Sequence, residues 1–250
     1  MKSSRSTESK KSHYELVKHY FKKNIVNRNG YQAEYKNAIK KDRRRSKIQD
    51  ICFSILDQIM QSESGVKKLI DVGCGVGDFT LDLAVKYSQF EKVVGIDFLK
   101  ERVDIARQKV EQIKNVFFFE ADLLDIPFVD RSFDMTICIN VLHHVYIDDF
   151  SKAIRELARI TGKYLILEIR NKKNIFNFWY KYVVIPLFYR DLPVYDISIS
   201  EVCDLIKNDY QLEMTRGVLS VDWGCRRLIL VFKRINNDLK EINADDASRI

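Results

Sequence analysis

Apolar positions along this chain change their period near residue 65. Upstream, Ile48, Ile51, Cys52, Ile55, Leu56 and Ile59 recur three and four apart, which predicts a one-sided helix over 44–62 ended by the Ser62 to Gly65 stretch. Downstream, short continuous apolar runs alternate with amphipathic stretches. The runs at 67–72, 92–97, 115–120, 132–139 and 163–169 predict strands, and 78–88, 99–114 and 147–161 predict helices between them. Strands apolar on both faces and separated by helices imply a mostly parallel sheet covered on both sides, an α/β/α sandwich. A helix near 198–208 and two further β-rich stretches, 211–221 and 225–234, follow. Only V221-D-W-G-C225 joins those last two, so they must pair antiparallel, which gives seven strands with an antiparallel C-terminal one. Short helical stretches near 12–23 and 31–41 precede the main helix.

Composition changes this picture little. A hydrophobic fraction of 46% with three prolines and nine glycines fits one well-buried domain with additions rather than a linker-rich chain. Five scattered cysteines without a CxxC pair read as free thiols in a reducing compartment, neither a disulfide framework nor a zinc site. The first residues, MKSSRSTESKK, lack an apolar core, and no apolar run reaches the roughly 20 residues a membrane span needs. A cytoplasmic protein is the expectation.

Charge adds a division. Residues 1–47 hold 15 Lys and Arg against 4 Asp and Glu, peaking at K40-K-D-R-R-R45, whereas the rest of the chain is mildly acidic. Three parts are therefore expected: a basic arm with lid helices over 1–45, a main domain over 46–235, and a flexible tail over 236–250. Such an arm can hold RNA phosphates or an anionic membrane surface, or serve only as a solvated face.

The chemistry starts at L69-I-D-V-G-C-G-V-G-D78, where three of the nine glycines fall at every second position just after the first strand. Glycine there lets the backbone turn tightly and removes the Cβ that holds a ligand away. In an open parallel sheet this first strand–turn–helix is where a nucleotide-like ligand sits. A dinucleotide fingerprint needs its third glycine at position 78, which is Asp78 here, and the flanking Asp71 and Asp78 disfavour a pyrophosphate. A cationic sulfonium ligand tolerates those carboxylates.

D71-V-G-C-G-V-G77 resembles the first motif of class I S-adenosylmethionine (SAM)-dependent methyltransferases of the small-molecule type. The likeness continues in register through Asp97 in V94-G-I-D-F98, through E120-A-D-L-L-D-I-P-F128, and through F133-D-M-T-I-C-I-N-V-L-H-H-V145. It implies a Rossmann-like fold and SAM as cofactor, converted to S-adenosylhomocysteine (SAH). It also implies cofactor contacts from Asp71, Gly73, Cys74, Gly75, Gly77, Asp97 and Phe98. Further contacts would come from Asp122 and the Leu123 backbone at the adenine and from Asn140 at the methionine end. Two departures are visible. R159-I-T-G-K163 replaces the Pro-Gly-Gly turn common before the fifth strand, and Asn140 is followed by Val-Leu-His rather than Pro-Pro-Tyr. The second counts against methylation of base or amide nitrogens.

Methyl transfer from a sulfonium needs alignment and, for a protonated acceptor, a base. His143 and His144, just past the fourth strand, are the candidate catalytic residues; the alternative is a purely local hydrogen-bonding role, and a metal shared by adjacent residues is not expected. I175-F-N-F-W-Y-K-Y-V-V-I-P-L-F-Y-R190 carries seven aromatics and reads as part of a substrate cover near 172–197 for an apolar or amphipathic acceptor such as a quinone, isoprenoid, lipid or natural-product intermediate. The N-terminal Tyr14, Tyr20, Tyr31 and Tyr35 can close the cofactor site from the other side. An RNA methyltransferase using the basic arm and a non-catalytic SAM-binding protein are the alternative readings. A dehydrogenase of the short-chain type is a poor one, because the only Tyr-x-x-x-Lys, Y14-E-L-V-K18, precedes the glycine loop.

Overall fold

The computed structural model describes residues 11, 13–22, 43–110, 113–172, 194–218 and 225–235. The helix expected at 31–41, residues 173–193 of the expected cover, the 219–224 connection, Tyr31, Tyr35, the tail and most of the basic arm lie outside the described residues. Helix α1 covers 13–22, and α2 (Arg43–Ser62) follows with Ile48, Cys52, Ile55, Leu56 and Ile59 buried along one face. The alternation then runs β1 (Lys68–Val72), α3 (Asp78–Lys86), β2 (Lys92–Asp97), α4 (Lys100–Gln108), β3 (Val116–Glu120), β4 (Phe133–Cys138), α5 (Phe150–Ile160), β5 (Thr161–Arg170), α6 (Ile199–Ile206), β6 (Tyr210–Gly217) and β7 (Arg227–Arg234).

The seven strands order as β3-β2-β1-β4-β5-β7-β6, with β7 antiparallel to both its neighbours and the remaining pairs parallel. This is the expected Rossmann-like three-layer sandwich. Side chains alternate between two cores, as the period-2 strand geometry requires. Ile70, Val72, Leu165, Leu167, Leu228 and Leu230 face α5 and α6. Leu69, Val93, Ile137, Ile166, Ile229 and Val231 face α2, α3 and α4. The chain moves outward from β1 through β2 and β3, then returns to lay β4 on the other side of β1. That reversal opens a crevice beyond the carboxyl ends of β1 and β4, where such folds bind ligands.

Element boundaries differ from expectation at four places, each for a local reason. The helix expected over 147–161 is a short 3-10 turn, Ile147–Asp149, followed by α5 from Phe150, because the Asp149 N–H bonds to Tyr146 O and the Tyr14 hydroxyl donates to Asp149 Oδ2 at 2.8 Å. Helix α4 stops at Gln108 instead of 114; Lys109 leaves it to bond Val76 O at 2.9 Å and Asp78 Oδ1 at 2.5 Å, tying its ammonium to the glycine loop. Strand β5 starts at Thr161, directly after α5, so R159-I-T-G-K163 contains no separate turn. Strand β6 ends at Gly217 rather than 221. No helix among the described residues is long and apolar enough to cross a membrane.

Candidate functional site

A cavity of about 720 Å³ fills the crevice, within the ~300–1,000 Å³ of small-molecule and cofactor sites. Its floor is the turn between β1 and α3. Gly73 and Cys74 donate their backbone N–H groups to Ile96 O at 2.7 and 2.9 Å, which presses the turn onto the end of β2. Gly75 has φ +59, and a Cβ built there would meet nothing within 4 Å. The open side of that residue is a berth a ligand can fill. Gly77 behaves differently. It caps α3 with φ +81, lies outside the cavity lining, and would drive a Cβ to 2.6 Å from Phe118 and 2.9 Å from Ala106. Its role is close packing of helix on sheet.

At the end of β2 the Asp97 carboxylate is 3% exposed and fixed from two sides. Oδ2 accepts the Gly75 N–H at 3.0 Å, and Oδ1 accepts the Leu99 N–H at 2.9 Å. Each oxygen keeps a second acceptor site, so a vicinal diol can add to a carboxylate already held in place. The Arg102 guanidinium stands 3.6 Å from Oδ2. Asp71 is equally buried, its Oδ2 accepting the Thr80 hydroxyl at 2.6 Å across the first turn of α3. Burial pushes its carboxyl up to about 7, with the nearby Asp97 adding to the rise and the Thr80 bond opposing it.

Beyond β3, Asp122 is exposed and anchors its own turn by accepting the Leu124 N–H at 2.9 Å. Asp122 and Leu123 border one end of the cavity, and Phe98 adds an aromatic face. Asn140, His143 and His144 border the other end. Asn140 takes a left-handed φ of +62 just after β4. Its N–H donates to Glu168 Oε2 at 3.0 Å, and its Oδ1 accepts from Arg227. The 3-10 turn Leu142–His144 brings the rings of His143 and His144 to 4.1 Å, tilted by 49°. Adjacent residues thus reach one cavity because the turn is tighter than an α-helix. Among the described residues no group of three or more His, Cys, Asp or Glu is arranged to hold a metal.

The residues expected at the site therefore border one cavity, except Gly77 and, of the described N-terminal tyrosines, Tyr20. Four contributors were missed. Glu168 was legible as an acid inside the apolar strand K163-Y-L-I-L-E-I169. Arg227 and Arg102 carried no local signal, since an arginine at a strand or helix start is ordinary. Phe21, also unmarked, sits with Tyr14 and Val17 on the face of α1 that roofs the cavity. Phe21 lies edge-on to His144 at 5.4 Å and under the Arg102 guanidinium at 4.3 Å. His13 Nε2 bonds His144 O at 2.8 Å, so α1 is fastened along its length.

Residues 69–163 match a family model described as "Methyltransferase domain". A curated relative, demethylmenaquinone methyltransferase of Bacillus cereus, is 33% identical over 141 residues, 52% of this chain and 58% of that protein. The match thus spans little more than half of the relative's length. Among solved structures, magnesium protoporphyrin IX methyltransferase (ChlM) from Synechocystis PCC 6803 with bound SAH superposes with a TM-score of 0.61 at 22% identity, covering 76% of this chain and 85% of that one. Its form with bound SAM gives a TM-score of 0.57 at 21% identity, covering 76% and 81%. At these identities the structural likeness shows the fold.

Proposed function

We propose that the chain is a class I SAM-dependent methyltransferase, an enzyme that moves a methyl group from SAM to a small apolar or amphipathic acceptor. One observation carries this reading: the open Gly75 berth and the doubly held Asp97 carboxylate meet at 3.0 Å in the crevice where the sheet order reverses. The residues present fit the cofactor. Asp97 would receive the ribose hydroxyls, Asp122 with the Leu123 N–H would receive the adenine, Phe98 and the Gly73–Gly75 turn with Cys74 would hold the nucleoside, and Asn140 would hold the amino-acid tail. Asp71 stays behind the turn and holds it through Thr80. When bound, SAM supplies a methyl carbon on a positively charged sulfur that leaves as a neutral thioether.

The chain's own work is alignment, exclusion of water and management of one proton. Helix α1 supplies the roof through Tyr14, Val17 and Phe21. His143 and His144 stand at the methyl end, where an acceptor hydroxyl, amine or acidic carbon gives up its proton. Burial, with Arg227, Arg170 and Arg226 nearby, holds the His143 imidazole well below its usual pKa, so it waits unprotonated. The relative named for demethylmenaquinone supports a small-molecule acceptor over RNA. The test is transfer of label from methyl-tritiated SAM in an extract of the source cells. Label in solvent-extractable small molecules is expected, and label retained in RNA would overturn the acceptor class.

A further inference from the structure

Behind the methyl end a chain of polar groups crosses three strands, from Arg227 on β7 through Glu168 on β5 to Asn140 beyond β4. Glu168 on β5 has 0% of its surface exposed. Its Oε1 accepts Arg227 Nε from β7 at 2.6 Å, and its Oε2 accepts the Asn140 N–H beyond β4 at 3.0 Å. A carboxylate oxygen has two acceptor sites, so Oε2 keeps one. His143 Nδ1 lies 3.8 Å from it. That nitrogen is buried and has no hydrogen-bond partner among the described residues. A buried ring nitrogen without a partner is destabilising, and the spare acceptor site on Oε2 is placed to relieve it.

We infer that Glu168 is a positioning residue for His143: it takes the Nδ1–H as a hydrogen bond and so fixes the imidazole in the tautomer whose bare Nε2 is left for the cleft. This rests on the methyltransferase reading above. The 3.8 Å separation closes by about 1 Å to a hydrogen bond as the cleft fills, the usual tightening of such contacts on binding. Arg227 matters twice. It neutralises Glu168, which keeps the carboxylate from drawing a second proton onto the imidazole, and it grips Asn140 Oδ1, which sets the turn that carries His143. The groups facing the ring are Glu168 and Arg170 from β5, Arg226 and Arg227 at the start of β7, and His144 from its own turn.

The step balances. The acceptor's electron pair forms the bond to the methyl carbon as the carbon–sulfur bond breaks to a neutral thioether. The acceptor proton passes to His143 Nε2. The positive charge lost from sulfur reappears on the imidazolium, so a ring that is unprotonated before transfer becomes basic enough as the sulfonium disappears. Glu168, already on Nδ1, stabilises that cation.

The chain has only four histidines, which makes the tautomer directly readable. The experiment is two-bond nitrogen–proton correlation on imidazole-labelled full chain, with and without SAH, from pH 5.5 to 8, assigned with His143→Gln. The expected His143 signature is a protonated Nδ1 and an unprotonated Nε2 throughout, sharpened by SAH. Glu168→Gln, whose amide oxygen still accepts from Asn140, should lose that preference. A protonated Nε2 in the wild-type chain overturns the assignment, as does an unchanged tautomer in a folded Glu168→Gln. If Glu168→Gln does not fold, the wild-type spectrum alone decides. Absence of SAH binding by calorimetry counts against the methyltransferase reading instead, and the spectrum of the free chain still decides the tautomer.

Discussion

The backbone N–H of Gly75 and the Oδ2 of Asp97 are 3.0 Å apart, although 22 residues of chain separate them. This bond joins the glycine turn after β1 to the acid at the end of β2. The glycine turn and the acid are therefore held together before any ligand arrives, so a ligand meeting both has little to organise.

Replacing Asp97 with Asn keeps one acceptor for the Gly75 or Leu99 N–H but removes the charge offered to a diol. SAH affinity should fall by about 1–3 kcal/mol, roughly 5- to 150-fold in Kd, and the melting temperature should fall as well, because the amide nitrogen is set against the other buried N–H. Calorimetric titration of the variant checks this, and unchanged affinity removes Asp97 from the site.

Gly75 and Gly77 separate ligand approach from packing. Gly75→Ala adds a Cβ to open cavity at φ +59, so SAH binding should weaken while the fold loses only about 1–2 kcal/mol of left-handed strain. Gly77→Ala meets Phe118 and Ala106 as well as its positive φ, so it should cost about 2–5 kcal/mol of stability from strain and overpacking together. Thermal unfolding and titration of both variants should give opposite patterns.

Asp71 makes stability depend on pH in an unusual direction. Its folded carboxyl titrates at about 7, above the roughly 3.9 of an unfolded aspartate. The folded state therefore holds a proton that the unfolded state has released. The stabilisation is complete below about pH 4 and is lost as pH rises through about 7. Asp71→Asn should flatten this limb. Denaturant unfolding of both chains between pH 4 and 7.5 checks the difference, which cancels the contribution of the other carboxylates.

Helix α1 roofs the cleft with Tyr14, Val17 and Phe21. Phe21 packs on the Arg102 guanidinium that stands beside Asp97, so loosening the helix should speed ligand escape. Phe21→Ala forfeits a contact of about 0.5–2 kcal/mol, and SAH dissociation should quicken roughly 3- to 30-fold. Stopped-flow displacement measures that rate, and hydrogen exchange over 13–22 should show the same loosening.

The sheet was legible because its strands are buried on both faces, and Asp71, Asp97 and Asp122 follow the strand ends in register. The continuous apolar runs of β1, β2 and β5 match strands of a parallel sheet covered on both faces. Helix ends were less legible: Lys109 abandons α4 for a tertiary contact with Asp78 that no local spacing announces. The roof formed by α1 was foreshadowed only by its tyrosines. The Glu168–Arg227–Asn140 chain joins residues 28 and 59 positions apart, and only the strand order brings them together.

The account depends most on the crevice being a SAM berth, and titration calorimetry of the full chain against SAM, SAH and NAD tests that directly. One molecule of SAM or SAH per chain with a Kd in the micromolar range, and no measurable binding of NAD, is the predicted result. Failure of SAM and SAH to bind, or tighter binding of NAD, would contradict it.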